Sequence, residues 1–258
     1  MILLTNGDSW TQGDSPAQQA NWHAKKSMDW YDIVPHFGNL YKHLDPFGNP
    51  LVHNNTRVLY KFYDSQVWPK KLGRLLGSET WNAGRLGDDN HAICQSTIQS
   101  CEWLKKQGKK PDLVIVGWTS MIRIPIYITE NNELTVQQQR PDTYTLANDL
   151  YAKLNYIQNE FLFYIFNLQN YLKLNNIDYL FFNAFDKFED FDQQYMSKFI
   201  DKSKWIINDP SKAHFKEYIC VKHGLDDWDE GKYFRTAHPT DVSHIEWAEY
   251  LYDYIKKL

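Results

Sequence analysis

The chain has 258 residues, of which 43% are hydrophobic and 23% charged, a balance that is typical of a folded protein and excludes disorder along its whole length. Its formal net charge of -4 excludes the strong basic field by which many proteins bind nucleic acid. Three cysteines without a repeating spacing argue against a disulfide framework and favour a reducing compartment.

Strands alternate with helices in the N-terminal part of the sequence. Ile2–Thr5 is a short apolar run that is stopped by Asn-Gly, which predicts a buried strand. Residues 12–64 are rich in proline, glycine and aromatic residues, which predicts a long insertion. Loops of this length within a compact domain are usually functional or disordered. A helix from about Ser65 ends at Gly77, and Glu79–Asn82 is the second strand.

The same alternation continues to the C-terminus. Apolar spacing predicts a helix from about Asp89 to Gln107. The continuous β-branched run at Asp112–Gly117 is typical of a strand buried on both faces of a parallel sheet. Apolar residues three and four apart predict a long helix between Leu150 and Leu172. The remaining predicted elements are a short strand at Ile124–Ile128 in the loop 118–142, strands at Asp178–Phe182 and Trp205–Ile207, a loop at 209–237 and a closing helix at Ile245–Ile255.

This order predicts an α/β fold. Strands joined by helices form right-handed crossovers and a parallel sheet, here a three-layer α/β/α sandwich with five central strands. We expect a single domain over residues 1–258, with the insertion at 12–64. In such sheets the functional groups lie at the carboxyl ends of the strands. Three predicted ends carry glycine or unusual polar residues: Gly7-Asp8-Ser9, Asn82-Ala83-Gly84 and Gly117-Trp118-Thr119-Ser120.

Ser9 and His238 are the candidate nucleophile and base. A serine hydroxyl needs a base within hydrogen-bond reach and donors directed at the oxyanion that forms. Ser9 follows the first strand, His238 precedes the last helix, and imidazole is the usual base for a serine. Taken alone, Gly-Asp-Ser is a common turn, Gly84 is an ordinary turn glycine, and His238 is one of nine histidines.

In combination, these motifs resemble the SGNH (or GDSL) hydrolase family. Gly7-Asp8-Ser9 follows strand one, the block that begins Asn82-Ala83-Gly84 follows strand two, a glycine ends strand three, and His238-Pro239 precedes the last helix. The resemblance implies a flavodoxin-like fold and a serine-dependent ester hydrolase without cofactor or metal. It also implies that Ser9 is the nucleophile, that His238 is the base, and that the backbone N–H groups of Ser9 and Gly84 donate to the oxyanion.

Two positions depart from the family pattern. The family has an asparagine after strand three as an oxyanion donor, and Thr119 occupies that position with a hydroxyl that can also donate. The family has an aspartate three residues before its histidine, and this residue is Arg235, whose guanidinium cannot accept the imidazole N–H. The remaining groups that can orient His238 are Asp227, Asp229, Asp241 or a backbone carbonyl.

A second alignment assigns the acid and the base to a different pair. Asp241 and His244 keep the Asp-x-x-His spacing of the family. We favour His238, because Pro239 follows it directly, whereas His244 already lies at the start of the last predicted helix. Both alignments leave the nucleophile unchanged, and the predicted oxyanion donors are Ser9, Gly84 and Thr119.

The resemblance implies a small-molecule or glycan ester as substrate, since the family often acts on acylated carbohydrates. Trp10 and Trp118 adjoin two of the strand ends and are predicted to contact the substrate, because flat aromatic rings suit a sugar. The sequence has no P-loop, no GxGxxG after the first strand and no zinc spacing, so we expect neither a cofactor nor a metal. We expect no nucleic-acid partner and no membrane partner.

Two other functions stay open. Thr119 and Arg235 replace groups that the family uses, so an inactive SGNH-fold protein that binds glycans is an alternative. A structural or assembly protein is another, with the insertion at 12–64 as an interaction surface. The Gly-Trp-Thr-Ser block and the compact SGNH core also resemble some proteins of large tailed bacteriophages. The sequence shows no signal peptide and no membrane-spanning run, which predicts a cytoplasmic protein, located in the host cytoplasm or the virion if it is phage-encoded.

Overall fold

The computed structural model of the protein describes residues 1–12, 67–85, 88–121, 123, 125–130, 133–138, 154–184, 188, 190–211, 214–226, 232–235 and 238–258. At Ser9, Gln12, Arg235 and residues 125–130, 133–138 and 154–156 only the backbone is described. Nearly all of the predicted insertion at 12–64 lies outside the described residues, as do Asp227 and Asp229.

Strands and helices alternate along the described residues, as predicted. The strands are β1 (Ile2–Gly7), β2 (Glu79–Asn82), β3 (Leu113–Trp118), β4 (Pro125–Glu130), β5 (Glu133–Gln138), β6 (Asp178–Asn183), β7 (Phe234–Arg235) and β8 (His238–Pro239). The α-helices are α1 (Ser9–Gln12), α2 (Trp68–Leu76), α3 (Asn90–Lys106), α4 (Leu154–Leu174), α5 (Phe215–His223) and α6 (Asp241–Ile255). Short 3-10 helices lie between Phe191 and Asn208.

The central sheet has four parallel strands among the described residues, in the order β2-β1-β3-β6. The register pairs Thr5 with Asn82 and Gly7 with Gly117. The C-terminal ends of the strands therefore meet along one side of the sheet, as the predicted parallel topology requires. We call this side the carboxyl edge and define it by the last residues of its strands, Gly7, Asn82, Trp118 and Asn183.

Helices cover both faces of the sheet, because neighbouring strand residues point to opposite sides. Phe181 packs edge-to-face on Trp118, with ring centroids 5.5 Å apart, on the face that α3 and α4 cover. Phe182 contacts Trp68 of α2 and Trp247 of α6, at 5.5 and 5.0 Å. These contacts confirm the predicted three-layer α/β/α sandwich.

The predicted fifth strand at Trp205–Ile207 is wrong. Trp205 makes a single parallel bridge with Phe181, and a 3-10 helix follows it directly at Ile206–Asn208. Ile207 and Asn208 have φ values of 56° and 55°, in the left-handed region. Such backbone angles are incompatible with an extended strand, so the chain turns away from the sheet after one residue.

The predicted loop at 209–237 contains a helix, α5, and the first strand of the β7–β8 hairpin. Phe215 and Ile219 are buried and four residues apart, which is the apolar signal for one helix face. Gly224, with a φ of 64°, ends the helix. The strand predicted at Ile124–Ile128 is found at Pro125–Glu130, where it pairs with β5 in an antiparallel hairpin.

The cysteines of α3 lie on its buried side, because they are seven residues, or about two helical turns, apart. Cys94 and Cys101 are both buried, and burial raises the pKa of the Cys101 thiol to about 12 and that of Cys94 to about 11. Both thiols therefore stay protonated at neutral pH. In the part of the chain that the structure describes, no helix combines the length and the apolar character needed to cross a membrane.

Candidate active site

Ser9 is the first residue of α1 and follows the end of β1 after a sharp turn. Gly7 has a φ of 155°, which L side chains rarely adopt, and a Cβ there would lie 2.3 Å from Thr11 Oγ1. The Asp8 carbonyl accepts the Thr11 N–H at 3.0 Å and closes the turn. The backbone of Ser9 thus lies at the carboxyl edge, as predicted, while its hydroxyl is outside the described side chains.

Asp8 is the centre of the hydrogen-bond network at this edge. Its side chain is fully buried. Oδ1 accepts the Trp10 N–H at 3.0 Å, and Oδ2 accepts Thr119 Oγ1 at 2.7 Å and Arg123 Nη1 at 3.2 Å. Burial raises the pKa of Asp8, against the opposing effects of the Arg123 charge and of the hydrogen bonds from Thr119 and Trp10. One carboxyl group therefore connects β1, α1, the end of β3 and the loop that follows it.

Thr119 has a different role from the predicted one. Its hydroxyl donates to Asp8, and its backbone N–H donates to Asn90 Oδ1 at 3.0 Å. Asn90 Nδ2 in turn donates to the carbonyls of Thr119 and Ser120, at 3.1 and 3.2 Å. Both donors of Thr119 are engaged inside the protein, so neither is left for an oxyanion, contrary to the prediction.

Gly84 lies in the turn after β2, which packs against the end of β1. The Arg85 N–H donates to the Gly7 carbonyl at 3.0 Å, and Asn82 Nδ2 donates to the Thr11 carbonyl at 3.1 Å. These bonds hold the turn beside α1, the neighbourhood that the predicted oxyanion role requires. The Gly84 N–H itself donates to Asn82 Oδ1 at 3.1 Å, so an oxyanion would have to share or replace that bond.

His238 lies on β8, near the helix that begins with Ser9. Cα atoms of β8 and α1 come within 8 Å of each other. The side chain of His238 is half-buried, and its charge lowers the pKa of Asp8, as one of the smaller contributions to that value. Arg235 is its antiparallel strand partner. The structure therefore brings the predicted base and the backbone of the predicted nucleophile to the same region.

His244 is part of the framework rather than the edge. It is fully buried, and its Nδ1 accepts the Trp68 N–H at 3.2 Å. Burial, together with the smaller effects of the charges of Lys71 and His238, lowers the pKa of His244 to about 3, so the ring is neutral at physiological pH. Asp241 Oδ1 accepts the N–H of Val242 at the start of α6. In the alternative pair, Asp241 and His244 each thus accept a hydrogen bond from a backbone N–H of the fold.

Trp10 and Trp118 are core residues. Their exposed fractions are 2% and 0%. Trp10 contacts the rings of Phe215 and Phe234, at centroid distances of 5.4 and 5.9 Å, and Trp118 packs under α4. Neither ring presents a face on which a sugar can stack, so the structure does not support their prediction as substrate contacts.

Two residues at the edge were missed in the sequence. Arg123 pairs with Asp8, and Asp88 precedes the cap of α3. The pKa of Asp88 is raised to about 7, mainly by burial and also by the charges of Asp89 and Asp8, against the opposing charges of Arg85 and Arg123. No motif marks Arg123, since a single charged side chain after a strand is common, and the Asp88-Asp89-Asn90 segment is explained in the sequence by the cap of a helix. Among the described residues, no three His, Cys, Asp or Glu side chains form a set that could hold a metal ion.

Several solved structures resemble this chain at low sequence identity. A protein of the G-D-S-L family from Desulfitobacterium hafniense DCB-2 is 11% identical, with a TM-score of 0.44 over 98% of this chain and 98% of that one. An acetyl xylan esterase from the rumen bacterium Butyrivibrio proteoclasticus is 11% identical, with a TM-score of 0.46 over 99% of this chain and 63% of that one. A psychrotrophic esterase from Pseudoalteromonas sp. is 13% identical, with a TM-score of 0.41 over 99% and 97%. At these values the similarity assigns no activity and no catalytic residue to this chain.

Comparison with curated proteins gives no significant match. The predicted resemblance to bacteriophage proteins also gains no support from the structures above. A family model matches residues 51–258, a region that includes Gly84, Thr119 and His238 but not Ser9. Because this match extends over well more than half of the sequence, the chain belongs to the family described as "Family of unknown function (DUF6071)".

Proposed function

We propose that the protein is a serine-dependent ester hydrolase in which Ser9 is the nucleophile and His238 is the general base. The observation that carries this proposal is the approach of β8 to α1, whose Cα atoms come within 8 Å of each other. Ser9 begins α1 and His238 begins β8. The approach of these two elements supports a Ser9–His238 pair at the edge of the sheet where α/β proteins hold their reactive groups.

The reaction is acyl transfer in two steps. His238 accepts the hydroxyl proton while Ser9 Oγ attacks the ester carbonyl carbon and the carbonyl electrons move to oxygen. The tetrahedral intermediate collapses to an acyl-enzyme, and the alcohol leaves with the proton from His238. Water then attacks the acyl carbon, with His238 again as base, and releases the acid and free Ser9. No cofactor takes part.

The oxyanion is stabilised by fewer donors than the family pattern implies. The backbone N–H groups of Ser9 and Gly84 are the proposed donors. In this proposal the Gly84 N–H exchanges its acceptor, Asn82 Oδ1, for the oxyanion when substrate binds. Thr119 is not included, because its hydroxyl is bonded to Asp8. His238 acts with Ser9 as a pair, without an acid as a third member. Asp241 is not assigned that role, because its Oδ1 accepts the N–H of Val242. The substrate class is a small-molecule or glycan ester, as the family resemblance implies.

Hydrolysis of an activated acetyl ester by purified protein tests the proposal. We expect Ser9→Ala to lower kcat/KM by on the order of 10³-fold or more, because the nucleophile is lost. Ser100→Ala is the control, since it removes a fully buried serine hydroxyl that lies on α3 instead of α1, and it should keep full activity. Equal turnover by Ser9→Ala and the unaltered protein would remove Ser9 from the mechanism.

A second candidate is a non-catalytic domain of the same fold that binds a glycan or serves in an assembly. The observation that favours it is that two of the three predicted oxyanion donors, on Gly84 and Thr119, already have acceptors within the protein. This alternative predicts no ester turnover above that of Ser9→Ala, together with measurable binding in a glycan titration. Turnover that depends on Ser9 would contradict it.

A further inference from the structure

Thr119 and Arg123 hold a buried carboxylate directly before Ser9. Thr119 Oγ1 and Arg123 Nη1 donate to Asp8 Oδ2, at 2.7 and 3.2 Å. The second oxygen, Oδ1, accepts the N–H of Trp10, which is the second residue of α1. We infer that Thr119 and Arg123 are positioning residues, which fix the backbone of Ser9 by holding the carboxylate that binds the first turn of α1.

The chain of contacts is continuous from α3 to α1. Asn90 Oδ1 accepts the N–H of Thr119 at 3.0 Å and fixes the end of β3. From there the Thr119 hydroxyl reaches Asp8, and Asp8 Oδ1 reaches Trp10. All four residues are buried. Each hydrogen-bonding group in this series is therefore held by a partner that is itself held by the next one. We expect this network to restrict the motion of the start of α1.

Thr119 is the stronger of the two positioning residues. Its bond to Asp8 is the shorter one, and both partners are shielded from water, with exposed fractions of 3% and 0%. The side chain of Arg123 is 28% exposed, so water partly screens its charge. Removal of the Thr119 hydroxyl would leave a buried carboxylate oxygen without one of its two donors, which is more costly than loss of a hydrogen bond at the surface.

The catalytic consequence rests on the proposed function. A nucleophile that moves by about 1 Å can lose about 10²-fold in rate, because attack needs a defined geometry. Thr119 does not touch the substrate in this proposal, so its loss should lower kcat with little change in KM. The structural consequence does not depend on catalysis, since it concerns the backbone N–H groups of α1.

Amide hydrogen exchange, followed by NMR on the full chain, tests the inference. The compared proteins are the unaltered chain, Thr119→Val, which keeps the shape but removes the donor, and Thr119→Ser, which restores it. The N–H of Ile93 on α3, which donates to the backbone carbonyl of Asp89 at 2.9 Å, is the internal reference. Thr80→Val is the matched control, because it removes a half-buried threonine hydroxyl opposite Leu3, towards the other end of the sheet.

We expect Thr119→Val to speed exchange at Trp10 by about 10-fold or more, with no change at Ile93, and to lower kcat with KM unchanged. Thr119→Ser should restore both values, and Thr80→Val should alter neither. Unchanged protection of Trp10 in Thr119→Val, equal acceleration at Ile93, or a serine variant that behaves like the valine one would overturn the inference. An unaltered protein without ester turnover would contradict the proposed function alone, since exchange at Trp10 still reports the network.

Discussion

Two histidines that lie close together in the sequence have opposite surroundings. His238 is half-buried on β8, beside α1 and near the carboxyl group of Asp8. His244 is fully buried in α6, where its Nδ1 accepts the N–H of Trp68. The sequence offers His244 the better acid, Asp241, at the family spacing, yet it is His238 that lies beside the helix of Ser9.

The difference teaches that burial and backbone partners distinguish a candidate base from a framework residue better than the spacing of an acid and a histidine. The first N–H groups of a helix have no acceptor within the helix. Val67, the N-cap of α2, makes no side-chain cap, and His244 supplies the acceptor for Trp68 from a different helix. A ring that is neutral, buried and bonded in this way stabilises the fold.

Replacement of each histidine should separate activity from stability, and this is the largest effect expected. His238→Ala should lower kcat/KM for an activated acetyl ester by about 10²–10⁴-fold, because general base catalysis is lost. Its melting temperature should stay close to that of the unaltered protein. His244→Asn should keep the activity, since the asparagine oxygen can still accept the Trp68 N–H. An inactive, folded His244→Asn beside an active His238→Ala would reverse the assignment.

The pH dependence of stability should report His244. Its pKa is about 3 in the folded protein against an ordinary value of 6.5, so the unfolded chain binds more protons between these values. The contribution of His244 to the free energy of unfolding is therefore complete above pH 6.5 and is lost as the pH falls towards 3, by on the order of a few kcal/mol. Urea unfolding at several pH values measures it, and His244→Asn should flatten this part of the profile. An equal slope in both proteins would show that His244 is not the source.

Alanine substitution at two glycines, one at the carboxyl edge and one at the end of a helix, should produce a smaller difference in stability and ester turnover. Gly7→Ala meets both an unfavourable φ of 155° and a contact of 2.3 Å with Thr11, so we expect a loss of stability of about 1–3 kcal/mol and slower ester turnover. Gly77→Ala, at the end of α2, has a φ of 62° but open space around its Cβ, and should cost about 1 kcal/mol with turnover unchanged. Equal effects on turnover would contradict the special position of Gly7.

The strands and the main helices could be predicted because their signals are local. The bounds of Glu79–Asn82 match the structure, and the long apolar helix is found at Leu154–Leu174. The strand expected at Trp205–Ile207 failed, because Ile207 adopts a left-handed backbone conformation, which an apolar β-branched residue in the sequence does not signal. The helix at Phe215–His223 carried a weak signal of only two buried apolar residues on one face, Phe215 and Ile219.

The network at the carboxyl edge could not be predicted because its partners are distant in the sequence. Thr119 and Arg123 lie 111 and 115 residues from Asp8, and only the register of β1 with β3 brings them together. A pattern of residue types placed Thr119 at the position of an oxyanion donor. It could not show that a buried carboxylate nearby would take the hydroxyl instead.

The most direct test of the Ser9–His238 pair is the mass of the intact protein after treatment with a fluorophosphonate, followed by peptide mapping of the adduct. The proposed mechanism predicts one adduct on Ser9 in the unaltered protein and in His244→Asn, and its loss or strong slowing in His238→Ala. The absence of any adduct on Ser9 in the folded, unaltered protein, or labelling of His238→Ala at the same rate, would contradict it.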